Sequence, residues 1–328
     1  MTPFAFFVGS GRSGTTLYRN IFDSHTELAI THEAHFVAPM VRQRKRYEGS
    51  GRFAVDTFVE DLYADPNFRR QGLDRPAVAA ALAGAAPRTV PDAVRAVFAA
   101  YAAEHDKTRY GDKTPGYVTG IRLLAGAFPE SRFVHIIRDG RDVALGYLDR
   151  EEWGPSTLPD AAFYWASRVG RGRAAGRRLG PGRYLESRYE DLVADPEGVT
   201  RRLCDFLDLG YEEQMLRYHE QGARFIAGTK DPQAFGGLAQ PITKGMRDWR
   251  TEMAPADVIR FEAIAGDLLG ELGYELTGVP ASPSVRLEVA KARLGWERQR
   301  LLSRIEPLAK AAKKKAALFP LPPRRRAG

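Results

Sequence analysis

The chain predicts an α/β fold built on a central parallel sheet with helices on its faces. Three observations carry this. Short strand-like runs at residues 4–8, 28–30, 133–137 and 183–187 alternate with helical stretches. Phe6–Gly9 leads directly into the glycine-rich SGRSGTT and then a helix-compatible segment, the strand–loop–helix order of a phosphate cradle. A length of 328 residues with 44% hydrophobic content suffices for one large domain of this kind or two small ones.

The elements follow in order. Residues 4–8 form a buried strand stopped by Gly9. Thr15–Ser24 is a helix with Leu17, Ile21 and Phe22 on one face. Leu28–Ile30 is a second strand, and residues 33–47 are helical, ending in the basic run RQRKR. Residues 51–108 read as a helical insertion, alanine-rich from Pro76 to His105. Tyr110 and Gly111 lead into DKTPGY, a turn by virtue of Pro115 and Gly116. Ile121–Phe128 is a helix, Phe133–Ile137 a buried strand and Gly140–Leu148 a helix. Residues 160–178 are helical, Arg183–Ser187 is a strand, and Pro196–Leu207 is a helix opening on proline. Residues 221–245 lack periodicity and read as a long loop, and Pro255–Leu272 is a helix ended by Gly273.

Residues 1–280 thus form one domain. Residues 281–312 form an amphipathic helical extension with Leu287, Leu294, Leu301 and Leu308 at intervals of seven. That spacing fits either a helix packed on the body or a homodimer contact. Residues 313–328, rich in Lys, Pro and Arg, are expected to be disordered.

The net charge of +8 is unevenly placed. Residues 281–328 hold 13 Lys/Arg against 3 Asp/Glu, whereas the rest holds 36 against 38. A near-neutral body argues against a nucleic-acid enzyme. The basic tail could meet anionic lipid or another polyanion as a peripheral contact, or simply be solvated. No basic segment precedes a long apolar stretch at the start, so no secretory signal is expected. No run of about 18 apolar residues predicts a transmembrane segment. The single cysteine, Cys204, reads as a packed core thiol and is compatible with a cytoplasmic setting.

The spacing from Gly9 to Gly14 matches the first part of G-x-x-x-x-G-K-[ST], but Thr15 stands where the lysine should be. That lysine reaches the β/γ-phosphates of a nucleoside triphosphate. Without it the loop still offers an anion backbone N–H groups and a helix N-terminus, with Arg12 supplying the positive charge. Gly11, Ser13, Gly14, Thr15 and Thr16 complete the cradle. The pattern predicts a phosphate-bearing donor other than ATP. Arg138, directly after the FVHII strand, stands where open α/β sheets bind ligands and can grip a phosphate bidentately.

GSGRSGTTL resembles the 5′-phosphosulfate loop of sulfotransferases, which use 3′-phosphoadenosine 5′-phosphosulfate (PAPS). RFVHIIRDGRDVALGY (132–147), RYEDLVADP (188–196) and KGMRDW (244–249) are similar to later segments of that family, in family order. The likeness is strongest to bacterial and tyrosylprotein-type members. It implies a P-loop, nucleotide-kinase-like three-layer fold. It also implies PAPS as co-substrate, adenosine 3′,5′-bisphosphate as product, and no metal. Arg138 would hold the 3′-phosphate, with Lys244 a further candidate in a loop shorter than the family's. Arg150 is either part of the same cluster or a solvated helix-end charge. Tyr189 would contact the adenosine, be anchored in the core, or both. The family commonly has serine where this chain has Gly146, so one hydroxyl contact on the 3′-phosphate should be missing or supplied elsewhere.

A catalytic base is expected in ITHEAHF (30–36). By resemblance to the tyrosylprotein-type enzymes Glu33 deprotonates the acceptor. The competing reading is an acid at a helix N-terminus. His32 and His35 are alternative bases, since histidine titrates nearest neutrality. The cytosolic animal branch uses a histidine near K-[ST]-H; here Pro115 takes that place in DKTPGY, which favours Glu33. Lys113 would stabilise the bridging oxygen of the leaving nucleotide, or be an exposed turn lysine. His32 and His35 are three apart rather than the four of H-E-x-x-H, and no zinc site is expected.

The expected function is sulfuryl transfer from PAPS to a hydroxyl or amine of a small-molecule, carbohydrate, lipid or peptide acceptor. The rivals are an ATP-dependent small-molecule kinase of the same fold and a non-catalytic nucleotide-binding scaffold.

Overall fold

The computed structural model of the chain describes residues 2–49, 51–149, 154–221, 240–242 and 247–318, with side chains as far as Ser303. Five strands form one sheet: β1 (Ala5–Gly9), β2 (Leu28–Thr31), β3 (Arg109–Lys113), β4 (Arg132–Ile137) and β5 (Tyr184–Arg188). They lie in the order β2-β3-β1-β4-β5, and every pairing is parallel. Helix α1 (Thr15–Asp23) joins β1 to β2. The insertion between β2 and β3 holds α2 (Val37–Arg42), α3 (Val55–Ala64), α4 (Pro66–Arg69), α5 (Arg75–Ala85) and α6 (Val90–Glu104). Then come α7 (Ile121–Ala127), α8 (Gly140–Leu148), α9 (Leu158–Gly176), α10 (Tyr189–Ala194) and α11 (Pro196–Leu207). The chain ends in α12 (Trp249–Glu252), α13 (Pro255–Glu271) and α14 (Pro283–Leu318).

The sheet is buried on both faces, as parallel sheets are. Along β1, Phe4, Phe6 and Val8 point into a core shared with the insertion helices, while Ala5 and Phe7 point into a second core with α1 and α11. Phe6 stacks on Phe4 at 4.3 Å and on Phe133 at 5.3 Å between ring centroids. A third cluster, around Trp165 and Phe261, binds α8, α9 and α13 beyond the end of β4.

Most elements fall where the sequence places them, with four differences. The segment expected to lead into a turn before DKTPGY is strand β3, which pairs with both β1 and β2. Its RYGDK sequence hides it, because its buried half is Gly111, Asp112 and Lys113 rather than an apolar run. Helix α2 starts at Val37, not at 33, so Glu33 lies in the extended link after β2 and not at a helix N-terminus. Helix α14 continues to Leu318, through six residues expected to be disordered; Lys and Ala are strong helix formers, and Pro320 follows. Finally, α14 does pack on the body, but not through the leucines at intervals of seven. Val289 is buried and Trp296 stacks on Phe163, whereas Leu287, Leu294 and Leu301 face solvent.

Candidate active site

Each strand delivers a candidate residue at or just past its C-terminal end, the edge where parallel α/β sheets bind ligands. Thr31 is level with Asp112 across β2 and β3, Gly9 with Ile136 across β1 and β4, and Ile137 with Arg188 across β4 and β5. The order across the edge is therefore Glu33 after β2, Lys113 ending β3, the Gly9–Gly14 loop after β1, Arg138 after β4 and Tyr189 after β5.

The loop turns through Gly11 and Arg12 and enters α1 at Gly14. Gly14 caps the helix in the left-handed region, with φ 82°. A side chain there would be strained, and its Cβ would also lie 2.4 Å from the Tyr189 ring. The Tyr189 ring thus lies against the loop, and Arg138 covers it, 4.5 Å from guanidinium carbon to ring centroid. The strand end that leads into Tyr189 is held by Tyr18 of α1, which hydrogen-bonds Ser187 Oγ at 2.8 Å and donates to Arg188 O at 3.1 Å. Arg12, also at positive φ (66°), donates from Nε to Gly146 O of α8 at 3.0 Å. A Cβ on Gly146 would lie 3.2 Å from Arg12 Cβ and 3.3 Å from Arg12 Nε. Gly146 thus lies against the loop arginine, and a side chain there would fit only if Arg12 gave way.

RDGRD divides its two arginines between jobs. Arg141 is fully buried, paired with Asp139 (2.8 Å) and Glu262 (2.7 Å), and covered by the Trp249 ring. That makes it scaffold. Arg138, 7% exposed, faces the site edge. It lies 3.4 Å from Asp142 Oδ2 and 3.4 Å from the Arg247 carbonyl, and its Nε is buried without a partner. Burial pushes the Asp142 carboxyl up to about 6, against the pull of Arg138. Asp142 also accepts the Trp249 N–H at 2.9 Å, so the exit of the KGMRDW segment is tied down beside Arg138. Lys244 and Arg150 lie outside the described residues.

At the other end of the edge, Lys113 Nζ donates to Glu33 Oε1 at 2.9 Å. Glu33 Oε2 lies 3.0 Å from His35 Nε2. The Lys113 side chain is 5% exposed and that of Glu33 is 41% exposed, so the pair runs from the interior to the surface and Lys113 is no exposed turn lysine. Burial alone would raise the Glu33 carboxyl, but Lys113 and His35 outweigh it and hold it down to about 2. The hydrogen bond to Glu33 raises His35. Burial, with Arg19 and Lys113 nearby, lowers His32 to about 3, so it stays neutral and only weakly basic.

One residue of this half carries no sequence signal as a site residue. Asp112 is fully buried beside Lys113, and burial pushes its carboxyl up to about 7. Its Oδ1 accepts from Thr31 Oγ1 (3.2 Å), Ala34 N (3.1 Å) and Thr114 Oγ1 (3.0 Å). It therefore anchors both ends of the link that carries Glu33. Gln71 of the insertion donates to the His32 carbonyl at 3.0 Å and holds the same link from outside.

A sequence profile described as the sulfotransferase family matches residues 3–213, nearly two thirds of the chain. The chain belongs to the sulfotransferase family. It is similar to protein-tyrosine sulfotransferase 2 of Gallus gallus, 23% identical over 282 residues covering 83% of this chain and 70% of that one. It is likewise similar to a putative protein-tyrosine sulfotransferase of Caenorhabditis briggsae, 25% identical over 277 residues, 82% and 88% of the two chains. Among solved structures, the sulfotransferase domain of the curacin biosynthetic pathway has the same fold, with TM-score 0.59, 23% identity, and coverage of 84% of this chain and 99% of that one. The fold is thus the P-loop-like sulfotransferase fold, and the protein is a PAPS-dependent sulfotransferase.

The residues present fit that donor. The loop offers a left-handed glycine cradle at the N-terminus of the nine-residue α1, with the buried Ser13 hydroxyl left unpartnered. At the next strand end the buried, unpartnered Nε of Arg138 offers a second anion contact. Two separated anion grips match a molecule with a 5′-phosphosulfate and a 3′-phosphate. Among the described residues no group of three His, Cys, Asp or Glu is placed to hold a metal ion.

Proposed function

We propose that the sulfotransferase transfers the sulfuryl group to an acceptor hydroxyl, with Glu33 as general base. The ion pair of Glu33 with Lys113, at the strand ends beside the phosphate loop, carries this reading. In-line transfer forms a bond from the acceptor oxygen to sulfur as the bond from sulfur to the 5′-phosphate oxygen breaks. The electron pair stays with the leaving nucleotide, and the acceptor proton goes to Glu33. Arg12 and Lys113 neutralise the leaving phosphate. Gly11, Ser13, Gly14, Thr15 and Thr16 hold the 5′ end through backbone and hydroxyl donors. Arg138 holds the 3′-phosphate, with Lys244 and Arg150 assigned to the same anion by sequence alone, and Tyr189 orients the adenosine.

The pairing also sets an order of events. While Lys113 and His35 hold Glu33 near 2, it is ionised but a poor proton acceptor. Drawing Lys113 toward the nucleotide removes one of these cations, so the carboxylate gains basicity when the donor is in place.

The acceptor is a small molecule, carbohydrate, lipid or peptide. Its pocket is assigned to the insertion, because Gln71 and α2 border the Glu33 link. A cytoplasmic setting is part of the same proposal. The one cysteine, Cys204, buried with Sγ 3.8 Å from Met215 Sδ, supports it, since a lone core thiol forms no disulfide within the chain. Cell fractionation that recovers the chain only outside the cytoplasm would refute it.

The deciding experiment is calorimetric titration with adenosine 3′,5′-bisphosphate, beside 5′-AMP and ATP–magnesium, on wild type and Arg138→Ala. Selective binding of the bisphosphate, weakened in the variant by a factor on the order of 10–100, is the expected outcome for a charge-assisted phosphate contact. Binding unaffected by the substitution would remove Arg138 from the donor site.

A further inference from the structure

Helix α14 shows the body one face and solvent another. Trp296 stacks on Phe163 at 6.1 Å and 21°, Val289 is buried, and Arg293 covers the Phe163 ring. These contacts fix the helix about its own axis. The opposite face then holds Leu287, Leu294, Leu301 and Leu302, which are 57%, 69%, 57% and 55% exposed. Four large apolar side chains on one helix face form a patch that soluble surfaces rarely leave in water. At 100° per residue, Lys291 and Arg298 fall between these leucines on the same face, and both are exposed. Glu288 turns aside to Arg260 at 3.2 Å, and Glu297 lies at the margin of the stripe. The chain then continues through Lys310, Lys313–Lys315 and Arg324–Arg326.

We propose that this face of α14 docks on an anionic lipid surface. A second copy of the chain would bury the leucines but would bring Lys291 and Arg298 of one stripe against those of the other. A nucleic acid would pair the cations but leave the leucines in water. An anionic bilayer surface answers both: the leucines enter the acyl boundary while Lys291 and Arg298 extend along it to the headgroups. The +10 balance beyond residue 280 adds long-range attraction to the same surface. No helix of the described residues is long and apolar enough to cross a membrane, so the contact is peripheral.

The test is cosedimentation of the full chain with phosphatidylglycerol–phosphatidylcholine vesicles and with phosphatidylcholine vesicles, at low and high salt. Leu294→Glu/Leu301→Glu is run beside wild type, and sedimentation equilibrium gives the oligomeric state without lipid. Wild type is expected to bind the anionic vesicles alone, less so at high salt. The double variant should lose at least ~10-fold in vesicle affinity. Its melting temperature should match wild type, because both positions are solvent-facing. Vesicle binding equal in the two proteins would assign the contact to the basic end and overturn the docking of the stripe. Absence of vesicle binding would overturn it as well, and a dimer dissolved by the variant would give the face to a second copy.

Discussion

Lys113, at the end of β3, and Glu33, in the link that follows the neighbouring β2, lie eighty positions apart in the chain and meet in a 2.9 Å ion pair. Replacing Glu33 by Gln keeps the shape and removes the proposed proton acceptor. We expect kcat to fall by ~10²–10⁴-fold. Affinity for adenosine 3′,5′-bisphosphate should hold or rise, since Arg138 and the loop are untouched and Lys113 is released from its carboxylate partner. Single-turnover assays and calorimetry give the two numbers. A variant with wild-type kcat would move the base elsewhere.

His35 supplies a pH signature. Its ring is raised above its ordinary value by the hydrogen bond to Glu33, so it carries its proton to higher pH than a free histidine. While protonated it depresses the basicity of Glu33. As pH rises through the raised histidine value that restraint is lost, and kcat should climb. In His35→Gln the climb disappears and the low-pH rate rises toward the high-pH plateau. A pH–kcat profile of both proteins decides; parallel profiles would separate His35 from the chemistry.

Asp112 supplies the opposite sign, in stability. An aspartate raised to about 7 in the fold binds a proton more tightly there than in the unfolded chain, where its value is near 3.8. Its contribution is full below the unfolded value and is lost as pH rises toward 7, by up to ~4 kcal/mol. Asp112→Asn, uncharged throughout, should flatten that fall while its carbonyl keeps the Ala34 N–H bond. Urea unfolding between pH 4 and 8 reads it, and an equal slope in the variant would contradict the assignment.

Gly146 is tested by the serine that resembled enzymes carry. A Cβ 3.2 Å from Arg12 Cβ and 3.3 Å from its Nε forces the arginine to shift and weakens its bond to the Gly146 carbonyl. We expect Gly146→Ser to lower kcat by about 3–10-fold, a loss near 1 kcal/mol of transition-state stabilisation. A gain in kcat would mean that the packed position of Arg12 restrains turnover.

The donor half of the proposed site is legible because its signals are local. A glycine loop after an apolar strand, and an arginine after another, lie within single motifs. The acceptor half was legible only in pieces. Each of Glu33 and Lys113 stands out singly, but a polar β3 reads as the approach to a turn, so nothing in the sequence sets the link after β2 beside the end of β3. Asp112 was missed because a buried acid inside a polar-looking pentapeptide resembles a surface residue until its three donors are in view. The leucine repeat misled for a related reason. Periodicity marks a stripe without saying which stripe faces inward, and Val289 and Trp296, also seven apart, are the ones that dock.

The strand order has a consequence for how such a chain can diverge. Every helix from α2 to α6 is spliced between β2 and β3, on the Glu33 side of β1, whereas the loop, Arg138 and Tyr189 hang from β1, β4 and β5. The insertion shares its core with β1, so it cannot be exchanged whole, but its outward surface borders only the Glu33 side. On the proposed roles, reshaping that surface would change which hydroxyl reaches Glu33 and leave the residues after β1, β4 and β5 in place.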